Sequence, residues 1–551
     1  MMKHRTMIYN RFHKLVPYAI LLMLISGCSI VPVKEPAPSS TSLTIRVGIV
    51  EHQQRITFQA QDELSVRLND GSLQRVGNVG DNFVATISNA RPATMVFRLL
   101  ADSYDAKDRA EQEASRLMQM NLASVIRPRQ QLHVRTGQLE RSFIYYLYLE
   151  PAFQTAADAQ TAQQNLPSAL QTRVRSFMEQ LPAGTVVLKN QRTAESVEAE
   201  GYLQIARGQI SMDVNVGAGF HYENTSNRTY TPAINLVVDA EGALTVVNEI
   251  PMEAYISSVV ASEMNSEFPL EALKAQAICA RSFTVSKIET QHPTDPFDLC
   301  DDVHCQVYSG VSRTSKRTDY ATRETAGYVI MSGNDVCETF YHSVCGGHTE
   351  SNENIWQGTP RSYLRGRFDV PATAYNIPDD FLQNEENLVR WMFDSPKVYC
   401  NAAAGSGEVP SFLEYTKKYF RWKVTLSQAE IRENVRKNTG QDVGDILAIR
   451  AAERAPSGRM KRMRIIGANG TIIVENDLPI RKALSVTPLY SSCFIVTGAG
   501  NVPAEFEING AGWGHGVGMC QTGAAMMALD DISYRDILTH YYTDVSLRKI
   551  Y

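Results

Sequence analysis

The segment "NGAGWGHGVGMCQTGAAMMA", residues 509–528, places a glycine at every second position from Gly510 to Gly518, with only Ala511, Trp513, His515 and Val517 between them. No other stretch restricts the fold as tightly, because glycine accepts backbone conformations and close approaches that other residues resist. In an extended chain alternate side chains point to opposite faces. One face of this ribbon would then be bare Cα hydrogens, with Trp513 and His515 projecting from the other. A bare face lets another backbone or a sugar chain lie close. Tight core packing, with His515 as a structural histidine, is the competing reading. A nucleotide cradle is disfavoured: no complete GxGxxG occurs, since the third glycine falls on Val517, and no phosphate-binding lysine follows. The succeeding "CQTGAAMMALDD", residues 520–531, reads as the start of a packing helix.

At 551 residues the chain is too long for one ordinary core, so two or three domains are expected. A net charge of −5 gives no basic excess and no reason to expect nucleic acid as a partner. Lys3, Arg5, Arg11 and Lys14 precede a short apolar run at residues 16–26, which fits an export signal better than a membrane span. The run ends in "ISGC", which resembles the lipobox of bacterial lipoproteins. That resemblance implies a signal peptide at 1–27, lipidation of Cys28, a Pro/Ser tether at 28–43 and an exported, lipid-anchored protein of the cell envelope, in the periplasm or at the outer surface. An ordinary cleaved signal is the alternative. Eight further cysteines (279, 300, 305, 337, 345, 400, 493 and 520) make disulfides credible in an exported chain.

The pattern along the chain predicts an α+β fold. Residues 44–90 alternate apolar and polar positions and break at Asn69-Asp70-Gly71, a hairpin signal, so they form a β-rich opening segment. Residues 91–200 form an α+β accessory module in which 95–119 and 142–166 each pair an apolar strand with an Ala/Gln/Glu-rich helix. The module is similar to the peptidoglycan-binding SPOR repeat but has no diagnostic motif, so a generic α+β insert is the stronger reading. Residues 201–551 form a β-rich domain with a helical block from Met252 to about Glu289. In its first helix Tyr255, Ile256, Val259 and Val260 recur at helical spacing; Pro269 then starts the second.

Glu263 lies at the break. The C-terminal end of a helix disfavours another negative charge, and Met264 and Phe268 can desolvate it, so its pKa should rise. A carboxylic acid kept protonated near neutrality suits protonation of a glycosidic leaving group; a solvated turn glutamate is the bland alternative. Further on, Cys300, His304 and Cys305 supply three zinc-type ligands, and His292 is the nearest candidate fourth. A disulfide is the rival, and the role is structural in either case. Cys345 could act as a nucleophile with His342 or His348 as base, but beside Cys337 in an oxidising compartment a disulfide is the stronger expectation.

"NEIPMEAYISSVVASEMNSEFPLEALKAQAICARSFT", residues 248–284, resembles the core of the stage II sporulation protein D/LytB-like family. The resemblance continues through "FDLCDDVHCQVYSG" (297–310), where some relatives bind zinc, through "ETFYHSVCGGHTESNENIW" (338–356), and through the glycine ribbon, where Cys520 stands at a usual serine position. It implies that Glu263 is the catalytic acid/base of a lytic transglycosylase, cleaving the bond between N-acetylmuramic acid and N-acetylglucosamine in peptidoglycan. It also implies substrate-binding or site-ordering roles for Lys274, Gln276, Arg281, Tyr308, Ser343, Gly346, Gly347, Glu350, His515, Gly516 and Gln521. One carboxyl suffices for that chemistry, because the muramic acid's own C6 hydroxyl attacks and closes a 1,6-anhydro ring. No cofactor is required, zinc would be structural, and the partners are glycan strands and the membrane. The alternative is a non-catalytic, LytB-like enhancer that holds glycan for a cell-wall amidase. The ribbon is expected to wall a glycan groove, with His515 near Glu263.

Overall fold

The computed structural model describes residues 43–551 apart from 136–137, 168, 357, 372–376, 395 and 405–408. The expected signal at 1–27, Cys28 and the tether up to residue 42 lie outside the described residues.

The period-two pattern makes strands at once: in "RITFQA" Ile56, Phe58 and Ala60 are buried while their neighbours face solvent. The first five strands are β1 (Thr44–Gln53), β2 (Arg55–Ala60), β3 (Leu64–Arg67), β4 (Leu73–Gly77) and β5 (Asn82–Arg91). The next stretch runs β6 (Thr94–Tyr104), α1 (Lys107–Gln119), β7 (Ser124–Arg135), β8 (Gln138–Phe153), α2 (Ala156–Gln164) and β9 (Arg173–Gln180). Its antiparallel sheet has the order β7-β8-β6-β9, a ferredoxin-like arrangement with a small core of its own built on Leu99, Leu117, Leu147, Leu149 and Ala159.

Pairing then resumes where it stopped. β10 (Ala183–Asn190) pairs with β5, aligning Val186 with Ile87. After β11 (Ser196–Glu200), β12 (Tyr202–Arg207), β13 (Ile210–Val216), β14 (Asn224–Tyr230) and β15 (Ile234–Val238), β16 (Leu244–Pro251) pairs with β1, aligning Thr44 with Pro251. Two sheets result, β11-β10-β5-β2-β13-β14 and β17-β1-β16-β15-β12-β3-β4, where β17 is Leu299–Cys300. The boundaries expected at 90/91 and 200/201 therefore do not separate domains. Residues 44–91 and 183–251 share both sheets, and the accessory unit narrows to 94–180. Local periodicity identifies strands but not partners a hundred or more residues away.

β16 runs directly into α3 (Met252–Glu263), and Pro269 caps α4 (Leu270–Lys287) with φ −55° and ψ 145°. α3 buries Tyr255, Ile256, Val259 and Val260. α4 is buried nearly all round, as expected of a helix whose apolar positions are not confined to one stripe. Arg281 crosses from α4 to α3: its Nε and Nη2 donate to the two carboxylate oxygens of Glu253 at 2.8 and 2.6 Å, and its Nη1 donates to the Tyr328 carbonyl at 3.0 Å. The guanidinium is fully buried, so of the two roles expected of Arg281 the contacts match the ordering one: it joins the helices and does not face a substrate.

Beyond residue 350 the chain builds two three-stranded sheets, Arg421–Ser427, Glu505–Ala511 and Phe494–Gly498 in one, Ile446–Arg454, Met460–Gly467 and Gly470–Glu475 in the other. Ile431, Ile446, Met463, Ile465 and Ile508 centre their separate core. The ribbon then returns the chain to α4, against which the helices Gln521–Leu529 and Tyr534–Tyr541 pack.

Replacing Arg281 with Ala leaves Glu253 without its bidentate partner in a largely buried place. Because Glu253 is 32% exposed and keeps bonds from the Tyr551 hydroxyl and the Gly327 N–H, the cost should fall below that of a fully buried pair, at roughly 2 kcal/mol. Arg281→Lys should recover little, because an ammonium cannot make the forked contact. Denaturant unfolding of both variants tests this; an Arg281→Lys chain as stable as wild type contradicts it.

Candidate active site around Glu263

Glu263 is the last residue of α3, and Met264 beside it breaks the helix by turning extended, with φ −129° and ψ 142°. Its side chain is only partly accessible. Oε1 accepts a hydrogen bond from the Val307 backbone N–H at 2.9 Å and from the Tyr341 hydroxyl at 3.3 Å, and the Gln521 side chain also bonds to the carboxyl. Burial pushes its pKa up to about 7; these three hydrogen bonds pull the other way, and Asp302 adds a smaller upward push. The raised value read from the sequence thus has desolvation as its main cause, with Met264 and Phe268 both buried beside the carboxyl's stretch of chain.

The donors are themselves held. Tyr341 also lies 3.0 Å from Gln306 Oε1, and Gln306 Nε2 donates to Thr284 at 3.0 Å and to Tyr255 at 3.3 Å. Gln521 Nε2 donates to Gln276 Oε1 at 3.3 Å. Gln276 is fully buried, so it supports Gln521 from behind and does not reach substrate, contrary to expectation.

Val307 belongs to the Cys/His loop. His292, Cys300, His304 and Cys305 present ligand atoms that all lie within 4.8 Å of one another, with His292 Nε2 3.3 Å from Cys305 Sγ. His292 Nδ1 is 2.8 Å from Asp295, the carboxylate–imidazole support common behind metal ligands. No S–S bond joins Cys300 and Cys305, whose sulfurs face the two imidazoles as thiols. Two thiols and two imidazoles fit a tetrahedral zinc, and the cluster sits two residues before the amide that holds Glu263.

The glycine ribbon is not an extended strand with a bare face. Strand geometry ends at Ala511 and resumes only at Met519–Cys520, and Gly512, Gly514, Gly516 and Gly518 have φ of 84°, 102°, 84° and 72°. A Cβ at Gly510 would strike Trp422, at Gly516 the Arg459 guanidinium, and at Gly518 the Phe340 carbonyl. The glycines face inward against protein, so Gly516 touches no groove. Among the described residues the hydrogen bonds to Glu263 come from Val307, Tyr341 and Gln521, and His515 is not among them. His515 instead accepts from the Val517 N–H at 3.0 Å and packs in a ring cluster with Trp356 (4.9 Å between centroids), His342 (5.6 Å) and Phe340 (6.0 Å). Burial holds its imidazole well below the usual range, neutral.

The other motif residues make these contacts within the protein. Lys274 pairs with Glu271 at 2.8 Å and lies over the Tyr534 ring. Tyr308 is fully buried and donates to Asn248 at 2.6 Å. Glu350, also fully buried, accepts from Ser457 N–H at 3.1 Å and Asn354 at 2.8 Å. Gly346 and Gly347 sit at φ 80° and 109° against Ala511 and Trp391. Ser343 offers its carbonyl to Thr522 N–H at 3.1 Å. Cys345 lies 3.2 Å from Cys400 and is buried, so neither a nucleophile nor a bridge to Cys337 is formed.

The sequence reading missed Tyr222 and His221, which carry no motif. They sit in the β13–β14 loop, and Tyr222 is close enough for the charges of Glu263 and Asp302 to raise its hydroxyl pKa, after burial. Tyr222 and His221 pack on Trp513 at 6.2 and 5.4 Å, and Trp513 stacks on Tyr419 at 4.2 Å. Tyr222, the ring nearest the acid, is thus joined to an aromatic cluster in which His221 and Trp513 are partly accessible and Tyr419 is buried.

The raised pKa makes a stability prediction. An unfolded glutamate titrates near 4.3 and folded Glu263 at about 7. The folded state thus keeps a proton that the unfolded state loses. This contribution is complete below about pH 4 and is lost as pH rises to about 7, a change of up to ~4 kcal/mol. Glu263→Gln should match wild type near pH 4 and exceed it above pH 7. Unfolding curves at pH 4, 6 and 8 test this, and a stability difference independent of pH refutes it.

With that geometry in view, residues 240–331 match a sequence family described as stage II sporulation protein, and residues 350–518 match one described as a domain of unknown function. Stage II sporulation protein D of Bacillus amyloliquefaciens is 31% identical over 316 residues, 55% of this chain and 75% of that protein. An uncharacterized protein of Brachyspira hyodysenteriae is 28% identical over 305 residues, 55% and 68% of the two chains. The amidase enhancer of Bacillus subtilis is 26% identical over 300 residues, 53% of this chain but only 40% of its own length. Through these matches the chain belongs to the stage II sporulation protein D family, the same family that includes the amidase-enhancer type.

Proposed function

We propose that this protein is a lytic transglycosylase that cleaves the muramic acid–glucosamine linkage of peptidoglycan glycan strands, including strands stripped of stem peptides. The observation that carries the reading is the state of Glu263: a partly accessible carboxyl whose pKa is raised to about 7 and whose Oε1 is fixed by two donors. With Oε1 occupied as an acceptor, the acid proton belongs on Oε2, free for transfer. Glu263 gives that proton to the glycosidic oxygen as the C1–O bond breaks. The resulting carboxylate then removes the proton of the muramoyl C6 hydroxyl, whose oxygen bonds to C1 and closes the 1,6-anhydro ring. No water is consumed, and Glu263 ends protonated as it began. Tyr222 and Trp513 offer apolar faces on which a sugar ring can lie.

Zinc in the His292, Cys300, His304 and Cys305 cluster would have a structural part, fixing the loop that presents Val307. The basic, apolar and Cys28-terminated amino-terminal segment supports export and a lipid anchor. No helix among the described residues is long and apolar enough to cross a membrane.

Purified full-length chain should produce anhydro-muramyl ends from peptide-free glycan strands, and Glu263→Gln should lower that rate by at least ~100-fold, the usual scale for general acid catalysis. Because the acid must start protonated, kcat/KM should fall about tenfold per pH unit above pH 7. Mass spectrometry of the products decides. If wild type forms no anhydro ends, yet wild type and Glu263→Gln stimulate a cell-wall amidase equally, the enhancer reading replaces this one.

A further inference from the structure

A second group of metal-type ligands lies apart from the His/Cys loop. Cys345 Sγ, Cys400 Sγ, Cys520 Sγ and a carboxylate oxygen of Asp369 all lie within 4.8 Å of one another, on side chains that are 2% exposed or less. We propose that these four residues form a closed structural zinc site.

The geometry of the supporting groups carries the proposal. Cys345 N–H donates to Cys520 Sγ at 3.2 Å, Gly347 N–H to Cys345 Sγ at 3.4 Å and Gly523 N–H to Cys520 Sγ at 3.4 Å. Cys520 also stands at the N-cap of the helix Gln521–Leu529, where negative charge on sulfur is favoured. Asp369 is oriented by the Tyr541 hydroxyl at 2.8 Å on Oδ1 and by Cys400 N–H at 3.0 Å on Oδ2; Oδ2 faces Cys345 Sγ at 3.3 Å. Ligands steadied this way by neighbouring donors are what a metal centre needs.

A carboxylate buried among three sulfurs is costly unless a cation compensates it. A disulfide does not resolve the arrangement, because three sulfurs leave one over and the carboxylate still faces sulfur. The spacing suits a single ion: tetrahedral zinc at ~2.3 Å from each sulfur puts the sulfurs about 3.8 Å apart, inside the range here, where Cys345 and Cys400 are 3.2 Å apart and all ligand atoms lie within 4.8 Å, much closer than the ligands of an iron–sulfur cube. An oxygen among three thiolates favours zinc over copper(I), which prefers soft ligands throughout. The ion would staple three segments: the Cys-Gly-Gly turn, the chain around Asp369 and Cys400, and the helix that begins next to Gln521.

Zinc per chain, measured on the reduced full-length protein freed of excess metal, tests this. Cys305→Ser disables the His/Cys loop and should still hold about one zinc per chain, which Cys305→Ser/Cys400→Ser loses and Cys305→Ser/Asp369→Asn releases at lower chelator concentration. Loaded with cobalt(II), the Cys305→Ser chain should show tetrahedral visible bands with sulfur-to-cobalt charge transfer. Should the double variants fail to fold, wild type still decides, with about two cobalt ions per chain expected. A Cys305→Ser chain with no zinc and no such absorption overturns the site. A Cys345–Cys400 disulfide found by unreduced peptide mapping overturns it equally.

Discussion

The backbone N–H of Val307 reaching Glu263 Oε1 at 2.9 Å is the contact on which the site depends. It joins the end of α3 to a loop that is folded by a different set of forces, the cluster of His292, Cys300, His304 and Cys305. Without the loop, Glu263 would be an ordinary glutamate at the end of a helix, hydrated and ionised. With it, the carboxyl is enclosed enough for burial to dominate its titration, yet remains open on one side. The two sheets matter to function chiefly because β16 delivers α3, and β17 delivers the loop, to opposite sides of this one contact.

A site of this kind is maintained against the stability of the fold. Keeping a carboxyl out of water while it still has to release a proton is unfavourable at neutral pH, and the surrounding residues must be rigid enough to resist relaxation. α4 supplies that rigidity. It is buried on nearly every side, fixed to α3 through Arg281 and Glu253, and it carries Gln276 behind Gln521. Thr284 on the same helix anchors Gln306, and through it Tyr341. One helix thus braces two of the three donors to Glu263.

What the sequence revealed followed from locality. The α+β class, the paired helices, the break at Pro269 and the place of Glu263 at the end of the first helix all depend on residues within a few positions of each other, and the structure has them in those places. The four ligand-type side chains of the His/Cys loop span only residues 292–305, and their grouping is legible for the same reason. Val307, Tyr341 and Tyr222 approach Glu263 across long stretches of chain, and periodicity says nothing about such meetings. Arg281, Tyr308 and Glu350 show a different limit: a motif records that a position is constrained, and here the constraint is a buried ion pair or hydrogen bond, not a substrate. Cys400 had no local signal to associate it with Cys345 and Cys520.

The ribbon was misread because alternation of glycine fits two backbones, an extended strand with a bare face or a chain repeatedly at positive φ, and side-chain spacing alone cannot separate them. The structure adopts the second, and its purpose then changes. Gly518 lies against the Phe340 carbonyl, so the ribbon can approach the segment containing Tyr341; Met519 and Cys520 pair in parallel with Tyr341 and His342, and Gln521 follows at once. Two of the donors to Glu263 are therefore set by how closely the ribbon packs. Any Cβ at position 518 would push Phe340, and with it Tyr341, away from the acid while displacing Gln521 in the same movement. The glycines thus act on Glu263 from a distance, by determining where Tyr341 and Gln521 stand.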